Sequence, residues 1–223
     1  MNSEADKTQS PAGIVIVDDH PVMRMGLKHL ISSAEGLTVT GEAGTCAEAL
    51  SLFEDCQDID LAIIDVSLPD RSGLELLKDL RAIHTDLKCL VISSHDEEVY
   101  AERVLRAGGR GYVMKDRAPE QLVEAIQKVL AGGIFLSPKM TAQMMETFAG
   151  GGNSGSTVSA LSDRELEVFR AIGEGKSSRE VAGELGISIR TVDAHRTHIK
   201  DKLELKDAAE LSYQAIRWVE SQS

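Results

Sequence analysis

The chain has 223 residues, a formal net charge of −12 and an apolar content of 42 %, which is ordinary for a globular protein. This length accommodates two small domains, each able to bury a core. No apolar run approaches the roughly 20 residues of a membrane span, and the polar N-terminus lacks an export signal. Three cysteines without metal spacing indicate reduced thiols. We therefore expect a cytoplasmic protein with no membrane association.

The negative charge is unevenly distributed. Residues 1–155 carry 14 basic and 24 acidic side chains, and residues 156–223 carry 10 basic and 12 acidic ones. Neither half has the basic excess that marks a nucleic-acid binder by bulk charge. A nucleic-acid interface must therefore be argued from the positions of individual charges.

The first 131 residues alternate between strand-like and helix-like patterns. Short apolar runs, several rich in β-branched residues, are each followed by apolar residues at helical spacing. Five such βα units predict a parallel sheet covered by helices on both faces. The strand-like runs are residues 13–17, 37–43, 61–65, 90–92 and 111–114.

Chemically distinctive side chains occur where these predicted strands end. Asp18 and Asp19 follow the first strand, Asp65 ends the third, Ser93 follows the fourth and Lys115 follows the fifth. The carboxyl ends of parallel strands meet at one edge of a sheet, where open α/β folds bind their ligands. The sequence therefore predicts three carboxylates, a hydroxyl and an ammonium close together.

This predicted cluster suits magnesium-assisted phosphoryl chemistry. Three crowded carboxylates repel one another, so one is protonated unless a cation neutralises them. Oxygen ligands in small number suit Mg²⁺, which retains waters and binds phosphate oxygens. A carboxylate beside a divalent cation and a lysine can attack a phosphoryl group, and a hydroxyl can donate to its oxygens.

The motifs IVIVDDH, LAIIDVSLPDRSG, VISSHDE and GYVMKD resemble those of the response-regulator receiver domain, in the same order and spacing over residues 12–132. This resemblance implies a flavodoxin-like fold with a doubly wound, five-stranded parallel sheet. It also implies that Asp65 accepts a phosphoryl group from a sensor histidine kinase. Asp19, Asp65 and the Ser67 carbonyl would hold Mg²⁺, with Asp18 acting through a water.

The same resemblance assigns the residues that would respond to phosphorylation. Ser93 would be the hydroxyl switch, Lys115 the phosphate contact, and Tyr112 the aromatic switch that rotates inward. Two positions depart from the common receiver pattern. Ser93 stands where many receivers have Thr, and Asp116 stands where many have a Pro after the lysine.

Composition divides the rest of the chain. Weak helical spacing with several methionines over residues 139–148 precedes the glycine-rich segment AGGGNSGS at residues 149–156. We expect a disordered tail over residues 1–11, a receiver domain over 12–132, a linker with a short helix over 133–157, and a small all-α domain over 158–223.

The all-α domain has helix-turn-helix spacing. Capping boxes, in which a serine is followed three residues later by a glutamate, begin helices at Ser162 and Ser177, and Ser188 begins a third. Gly186 separates the second helix from the longer third helix. A short helix, a glycine-containing turn and a longer helix are typical of DNA-binding helix-turn-helix domains. A final helix is predicted over residues 207–219.

The third helix presents a small, polar outward face of mixed charge, which suits entry into a DNA major groove. Asp193 is the exception, because a carboxylate near phosphates weakens binding, although it can accept from cytosine N4. The candidate DNA contacts are Ser188, Arg190, Thr191, Asp193, Ala194, Thr197, His198, Lys200 and Lys202.

The motifs LSDRE, GKSSREVAGELGIS and TVDAHRTHIKDKL resemble the LuxR-type DNA-binding domain. Together with the receiver, they resemble the NarL/FixJ class of transcription regulators. The resemblance implies binding to double-stranded DNA and a homodimer on activation. It does not imply an enzyme, beyond assistance to its own phosphorylation and dephosphorylation. Candidate dimer contacts on the final helix are Ala209, Tyr213, Ile216 and Trp218.

Two other functions remain open from the sequence. The near-neutral second half would also suit a phosphorylation-gated protein-interaction switch without DNA binding. An aspartyl-phosphatase acting on small molecules is opposed by the residues after Asp65, because no second catalytic Asp follows two residues on.

Overall fold

The computed structural model describes residues 10–56, 58–146 and 157–221. The glycine-rich linker and most of the predicted tail lie outside this part of the chain. Among the described residues, no helix is both long and apolar enough to cross a membrane. The strands are β1 (Ala12–Val17), β2 (Leu37–Ala43), β3 (Leu61–Asp65), β4 (Lys88–Ser93) and β5 (Tyr112–Met114). The helices are α1 (Pro21–Ser32), α2 (Cys46–Asp55), α3 (Gly73–Ile83), α4 (Glu97–Arg106), α5 (Ala118–Leu130), α6 (Pro138–Glu146), α7 (Asp163–Gly173), α8 (Ser178–Glu184), α9 (Ile189–Lys202) and α10 (Ala208–Glu220).

The five strands form one parallel sheet in the order β2-β1-β3-β4-β5. From β1 the chain adds β2 on one side of the sheet and β3, β4 and β5 on the other. A crevice forms at such a switch point, here between β1 and β3, beyond the carboxyl ends of the strands. This arrangement confirms the predicted doubly wound α/β fold. It places the ends of β1 and β3 side by side.

The central strands are apolar on both faces, as expected for a sheet covered on both sides. Alternate residues such as Ile14 and Ile63 pack against α1 and α5, and their neighbours such as Val15 and Ile64 pack toward α2, α3 and α4. The apolar cluster that contains Val15 and Ile64 continues without a break into the core of the C-terminal helices. Buried apolar residues of the two halves of the chain are therefore in contact with one another.

The C-terminal helices confirm the helix-turn-helix spacing. Ser162 and Ser177 both form complete capping boxes, and the Ser188 side chain accepts from the Thr191 amide at the start of α9. Gly186, in the turn between α8 and α9, has a φ of 63°, which favours glycine. The caps and the glycine together set where each helix begins and ends.

Two short 3-10 helices were not predicted. Lys115–Arg117 joins β5 to α5, and Thr157–Ala160 precedes α7. Arg103 on α4 donates to the carbonyl oxygens of Val158 and Leu161, at 3.0 and 2.8 Å. A tertiary contact therefore holds the second 3-10 helix, which is why local sequence did not reveal it.

Candidate functional sites

Two buried carboxylates and one lysine form the centre of the acidic pocket at the sheet edge. Asp18 is fully buried, and Asp65 is 2 % exposed. Nζ of Lys115 lies 2.7 Å from Oδ2 of Asp18 and 2.8 Å from Oδ2 of Asp65. Gly73 allows this packing, because a Cβ there would lie 1.8 Å from the Asp65 carbonyl oxygen. The structure thus brings the predicted carboxylates and lysine together.

The electrostatics of the pocket oppose a stable negative charge on Asp65. Burial raises the pKa of Asp65 to about 6, which the Lys115 ammonium partly offsets and the Asp18 carboxylate reinforces. Burial alone would lower the pKa of Lys115, but Asp65 and Asp18 raise it above its usual value. The lysine therefore stays protonated and balances part of the carboxylate charge.

Asp19 and His20 complete a group of possible metal ligands. Side-chain oxygen or nitrogen atoms of Asp18, Asp19, His20 and Asp65 all lie within 4.8 Å of one another. Oδ2 of Asp18 and Oδ1 of Asp19 are buried, with Nζ of Lys115 2.7 Å from the first and Nδ1 of His20 2.6 Å from the second. Three converging carboxylates with one lysine between them fit a hard divalent cation such as Mg²⁺.

The predicted switch residues surround this pocket. The Ser67 amide lies 3.3 Å from Oδ1 of Asp65, to which it donates, and the hydroxyl of buried Ser93 accepts from the His95 amide at 3.2 Å. Tyr112 is only 2 % exposed, and its hydroxyl donates to the His95 carbonyl at 2.7 Å. Its ring is already inside the protein, so the predicted inward rotation is not needed to reach this position.

His95 connects the pocket with the C-terminal domain, a role that sequence reasoning missed. Its Nε2 lies 2.9 Å from Oγ of Ser67, and its Nδ1 lies 2.5 Å from Nη1 of Arg170 on α7. The ring also stacks on Tyr100, with centroids 5.0 Å apart. Burial lowers the pKa of His95 to about 4, assisted by the positive charge of Arg170. The one available signal was its position in the motif VISSHDE.

Helices α7 and α8 cover the acidic pocket. A cavity of about 520 Å³ is lined by Asp19, Asp65 and Lys115 from the sheet edge and by Arg170 and Lys176 from the C-terminal half, among others. Both of the latter side chains are cationic. The same half also contributes Glu167, Glu174 and Glu184 to the lining, and Glu174 and Glu184 pair with the two cations, so it adds no excess of positive charge to the rim.

The start of α7 is held to the receiver by ion pairs. Asp163 is 7 % exposed and lies 2.9 Å from Nζ of Lys78 on α3 and 3.1 Å from Nη1 of Arg103 on α4. In the turn between α8 and α9, a Cβ on Gly186 would lie 2.6 Å from the Pro69 carbonyl oxygen. The start of α7 and the turn between α8 and α9 are therefore both in close contact with the receiver.

An ion pair within α7, between Arg164 and Glu167, is buried in the same interface. Nη1 of Arg164 lies 2.7 Å from Oε2 of Glu167, and Arg164 also donates to the Leu185 carbonyl. Burial raises the pKa of Glu167 to about 7, against the opposing charge of Arg164. Glu167 also lines the cavity that contains Asp65 and Lys115 of the receiver. Glu167 is thus a titratable group shared by the two domains.

The outward face of α9 is accessible to solvent. Val192 and Ile199 are buried beneath it, as the helical projection predicted. All nine candidate DNA contacts are exposed except Lys200, which is half-buried. Asp193 does not simply face outward, because its Oδ1 accepts from the Ser178 hydroxyl on α8 at 3.1 Å. Asp193 thus joins the two helices of the motif.

Three of the four candidate dimer contacts on α10 are exposed, and the fourth is half-buried. Tyr213 and Ile216 are 57 % and 41 % exposed, and Ala209 is exposed. Trp218 is half-buried against Phe169 on α7, with ring centroids 5.7 Å apart. It is therefore engaged in the core of its own domain.

Comparison with protein families agrees with this geometry. A model described as the response regulator receiver domain matches residues 14–127, and a model for bacterial regulatory proteins of the luxR family matches residues 159–215. A receiver followed by a LuxR-type helix-turn-helix defines a transcriptional response regulator of two-component systems. The chain belongs to this class, and specifically to the NarL/FixJ family of response regulators.

Individual relatives extend along nearly the whole chain. The oxygen regulatory protein NreC of Staphylococcus carnosus (strain TM300) is 36 % identical over 212 residues, covering 92 % of this chain and 96 % of that protein. The nitrate/nitrite response regulator NarL of Escherichia coli (strain K12) is 35 % identical over 205 residues, covering 91 % and 94 %.

Solved structures show the same similarity. A two-component response regulator of the LuxR family from Aurantimonas sp. SI85-9A1 matches with a TM-score of 0.58 at 33 % identity, over 63 % of this chain and 99 % of that one. RcsB of Salmonella enterica serovar Typhimurium, bound to promoter rprA with the phosphomimetic BeF₃⁻, matches with a TM-score of 0.61 at 25 % identity, over 92 % and 98 %.

Proposed function

We propose that Asp65 is the phosphoryl acceptor of this response regulator and that its phosphorylation by a sensor histidine kinase controls DNA binding by α9. The observation that carries the proposal is the pair of contacts from Lys115 to Asp65 and Asp18 in a buried pocket. An Asp65 oxygen would attack the phosphorus of the kinase phosphohistidine, so that an acyl phosphate forms as the P–N bond breaks and the imidazole leaves. Lys115 would offset the charge of the transferred group, and the Ser93 hydroxyl would donate to one of its oxygens.

Mg²⁺ is the cation that this pocket is proposed to hold. Asp19, Asp65 and the Ser67 carbonyl would be the protein ligands, and Asp18 would act through a water. When bound, the ion neutralises charge on the phosphoryl oxygens. The donor set supports this assignment, because the group is dominated by carboxylates and Lys115 supplies only one compensating charge.

The receiver is proposed to span residues 12–132 and the DNA-binding domain residues 158–223, with a tail over 1–11 and a linker over 133–157. The protein would assist its own phosphorylation and dephosphorylation and would not act on other substrates. It would act in the cytoplasm, where its kinase and DNA are accessible, and would form a homodimer when active. Exposure of Tyr213 and Ile216 on α10 supports a dimer surface there.

The proposed DNA contacts are the solvent-facing residues of α9 and its N-terminal cap. Their exposure supports this role, and short side chains such as Ala194 and Thr197 permit close approach to base edges. Phosphate contacts would come from the basic side chains. The full set is Ser188, Arg190, Thr191, Asp193, Ala194, Thr197, His198, Lys200 and Lys202.

Phosphoryl incorporation from acetyl phosphate tests the acceptor assignment. With Mg²⁺ present, the wild type is expected to gain one phosphoryl group, and Asp65→Asn is expected to gain none. Asp79→Asn is the matched control, because Asp79 on α3 pairs with Arg71 at the surface. Chelation of Mg²⁺ by EDTA should also prevent incorporation. Equal labelling of Asp65→Asn and the wild type would refute the assignment.

Selection from random DNA tests the second half of the proposal. The phosphorylated protein is expected to enrich a sequence with two half-sites, and its affinity should fall steeply with salt concentration. Arg190→Ala should weaken the selected complex. If no sequence is enriched, the protein-interaction alternative replaces DNA binding.

A further inference from the structure

A second cluster of metal-ligating side chains lies between α7 and α9, on the C-terminal domain. It consists of Glu165, His195 and His198, whose donor atoms all lie within 4.8 Å of one another. The two histidines are three residues apart on α9 and therefore adjacent on one side of the helix. Glu165 approaches from α7. Two separate elements thus converge on one point, outside the acidic pocket.

Glu165 is fixed in an orientation that suits a ligand. Its side chain is only 5 % exposed, and its Oε2 accepts from the Ser162 amide at 2.8 Å and from Nζ of Lys202 at 2.6 Å. Its Oε1 lies 3.8 Å from Nδ1 of His198. The capping box and the lysine therefore hold one oxygen, while the other faces the histidine.

The protonation states of the cluster also suit a cation. Burial raises the pKa of Glu165, but hydrogen bonds from Lys202 and Ser162 outweigh it and keep the carboxylate ionised. Burial lowers the pKa of His195, with help from the charge of Arg164, so its imidazole is neutral near pH 7. A neutral imidazole and an ionised carboxylate are the forms that bind metal.

We propose that Glu165, His195 and His198 form a binding site for a divalent transition-metal ion, and that Zn²⁺ is the ion that suits this site best. Two imidazoles and one carboxylate match the ligand preference of Zn²⁺ and oppose Mg²⁺ or Ca²⁺, which prefer oxygen. Tetrahedral binding with bonds of about 2.0–2.2 Å brings donor atoms to roughly 3.3 Å from one another. The separation between Glu165 and His198 needs only a small side-chain adjustment to reach this value.

Exposure leaves a route for the ion and a free coordination position. The His198 side chain is 62 % exposed, so an ion can arrive from solvent and retain a water as its fourth ligand. Bound metal would clamp α9 to α7. It would therefore stabilise the DNA-binding domain by an amount that rises with the logarithm of the ion concentration once that concentration exceeds its Kd.

Calorimetric titration of the tag-free, full-length protein with Zn²⁺ tests the site, with Mg²⁺ in large excess to occupy the acidic pocket. The wild type is expected to bind one Zn²⁺ at this site, and His198→Gln and His195→Gln should each weaken its binding at least about tenfold. His29→Gln on α1 is the control for an exposed histidine. His20→Gln is the control for binding in the acidic pocket.

The outcomes separate the possibilities. Loss of affinity in the His195 and His198 variants, but not in the His20 or His29 variants, supports the site. Unchanged Zn²⁺ affinity in His198→Gln overturns it, and so does a loss confined to His20→Gln. Because His198 is largely exposed, its variant is expected to fold, and its circular dichroism and thermal unfolding without metal should match the wild type.

Discussion

Arg170 donates a hydrogen bond from its guanidinium to Nδ1 of His95, so the DNA-binding domain contacts the receiver beside the acidic pocket. A guanidinium has only donors, so Nδ1 must be the unprotonated nitrogen of the ring. Nε2 then carries the proton and donates to the Ser67 hydroxyl. The bond therefore fixes one tautomer of a neutral imidazole and connects α7 to the residue two positions after Asp65.

Removing Glu167 should make domain closure sensitive to acid. In the E167Q variant, His95 remains, with a pKa of about 4 in the closed form and about 6.5 when exposed. The open form therefore binds more protons between these values. The contribution of neutral His95 to closure is fully present above pH 6.5 and should be lost as pH falls toward 4, by roughly 1–3 kcal/mol. The distance between fluorophores on the two domains, followed from pH 7 to 4.5, measures the change.

Replacing His95 should give the opposite slope. In the H95Q variant, Glu167 remains, with a pKa of about 7 when closed and 4.5 when exposed. The closed form now binds more protons between these values, so closure strengthens as pH falls from 7 to 4.5 and is weakest above pH 7. In the wild type, the two groups compensate, because closing moves one proton from His95 to Glu167. A wild-type slope as steep as that of either variant would contradict this exchange.

Arg103 should contribute more to domain closure than its neighbour on the same helix. Arg103 is only 20 % exposed and bonds to Asp163 and to two carbonyl oxygens before α7. Arg103→Ala leaves these acceptors unpaired and should shift the equilibrium toward open forms by about 1–3 kcal/mol. Arg106→Ala is the control, because Arg106 is 76 % exposed and pairs with Glu102 within α4. Small-angle X-ray scattering should show a larger radius of gyration only for Arg103→Ala.

Two glycine substitutions should have opposite effects on receiver stability. Gly73→Ala places a methyl group against the Asp65 carbonyl oxygen and should lower the free energy of unfolding by at least about 2 kcal/mol. Gly26 lies within α1, and a Cβ there meets nothing within 4 Å. Gly26→Ala should therefore raise the free energy of unfolding by about 0.5–1 kcal/mol. Urea denaturation of both variants measures the difference.

The sheet and its acidic pocket could be predicted because their signals are local. An apolar run followed by Asp65 gives both the buried strand and the position of the carboxylate at its end. The docking of the two domains could not be predicted in this way. Asp163, Arg164, Glu165 and Glu167 are charged residues of the types usually found at the surface, yet all four are buried.

Pairing across the interface explains this difference. Asp163 is neutralised by two cations from the receiver, and Glu167 by Arg164 and by its raised pKa. These partners lie far apart in the chain, so no pattern within α7 indicates them. Asp193 is a similar case. Its residue type suggested a disadvantage near DNA, whereas its bond to Ser178 became apparent only once α8 and α9 were placed together.

The position of α7 and α8 over the acidic pocket has a consequence for the order of events in the proposed signalling. The partly open space of about 520 Å³ admits a donor the size of acetyl phosphate, but α7 and α8 occupy the place where a phosphohistidine-bearing helix of a kinase would lie. A protein donor therefore reaches Asp65 only in molecules whose domains have already separated. Under the proposed function, a kinase would act on molecules whose domains are open, and the rate of domain opening would then be an upper limit on the rate at which the signal is received.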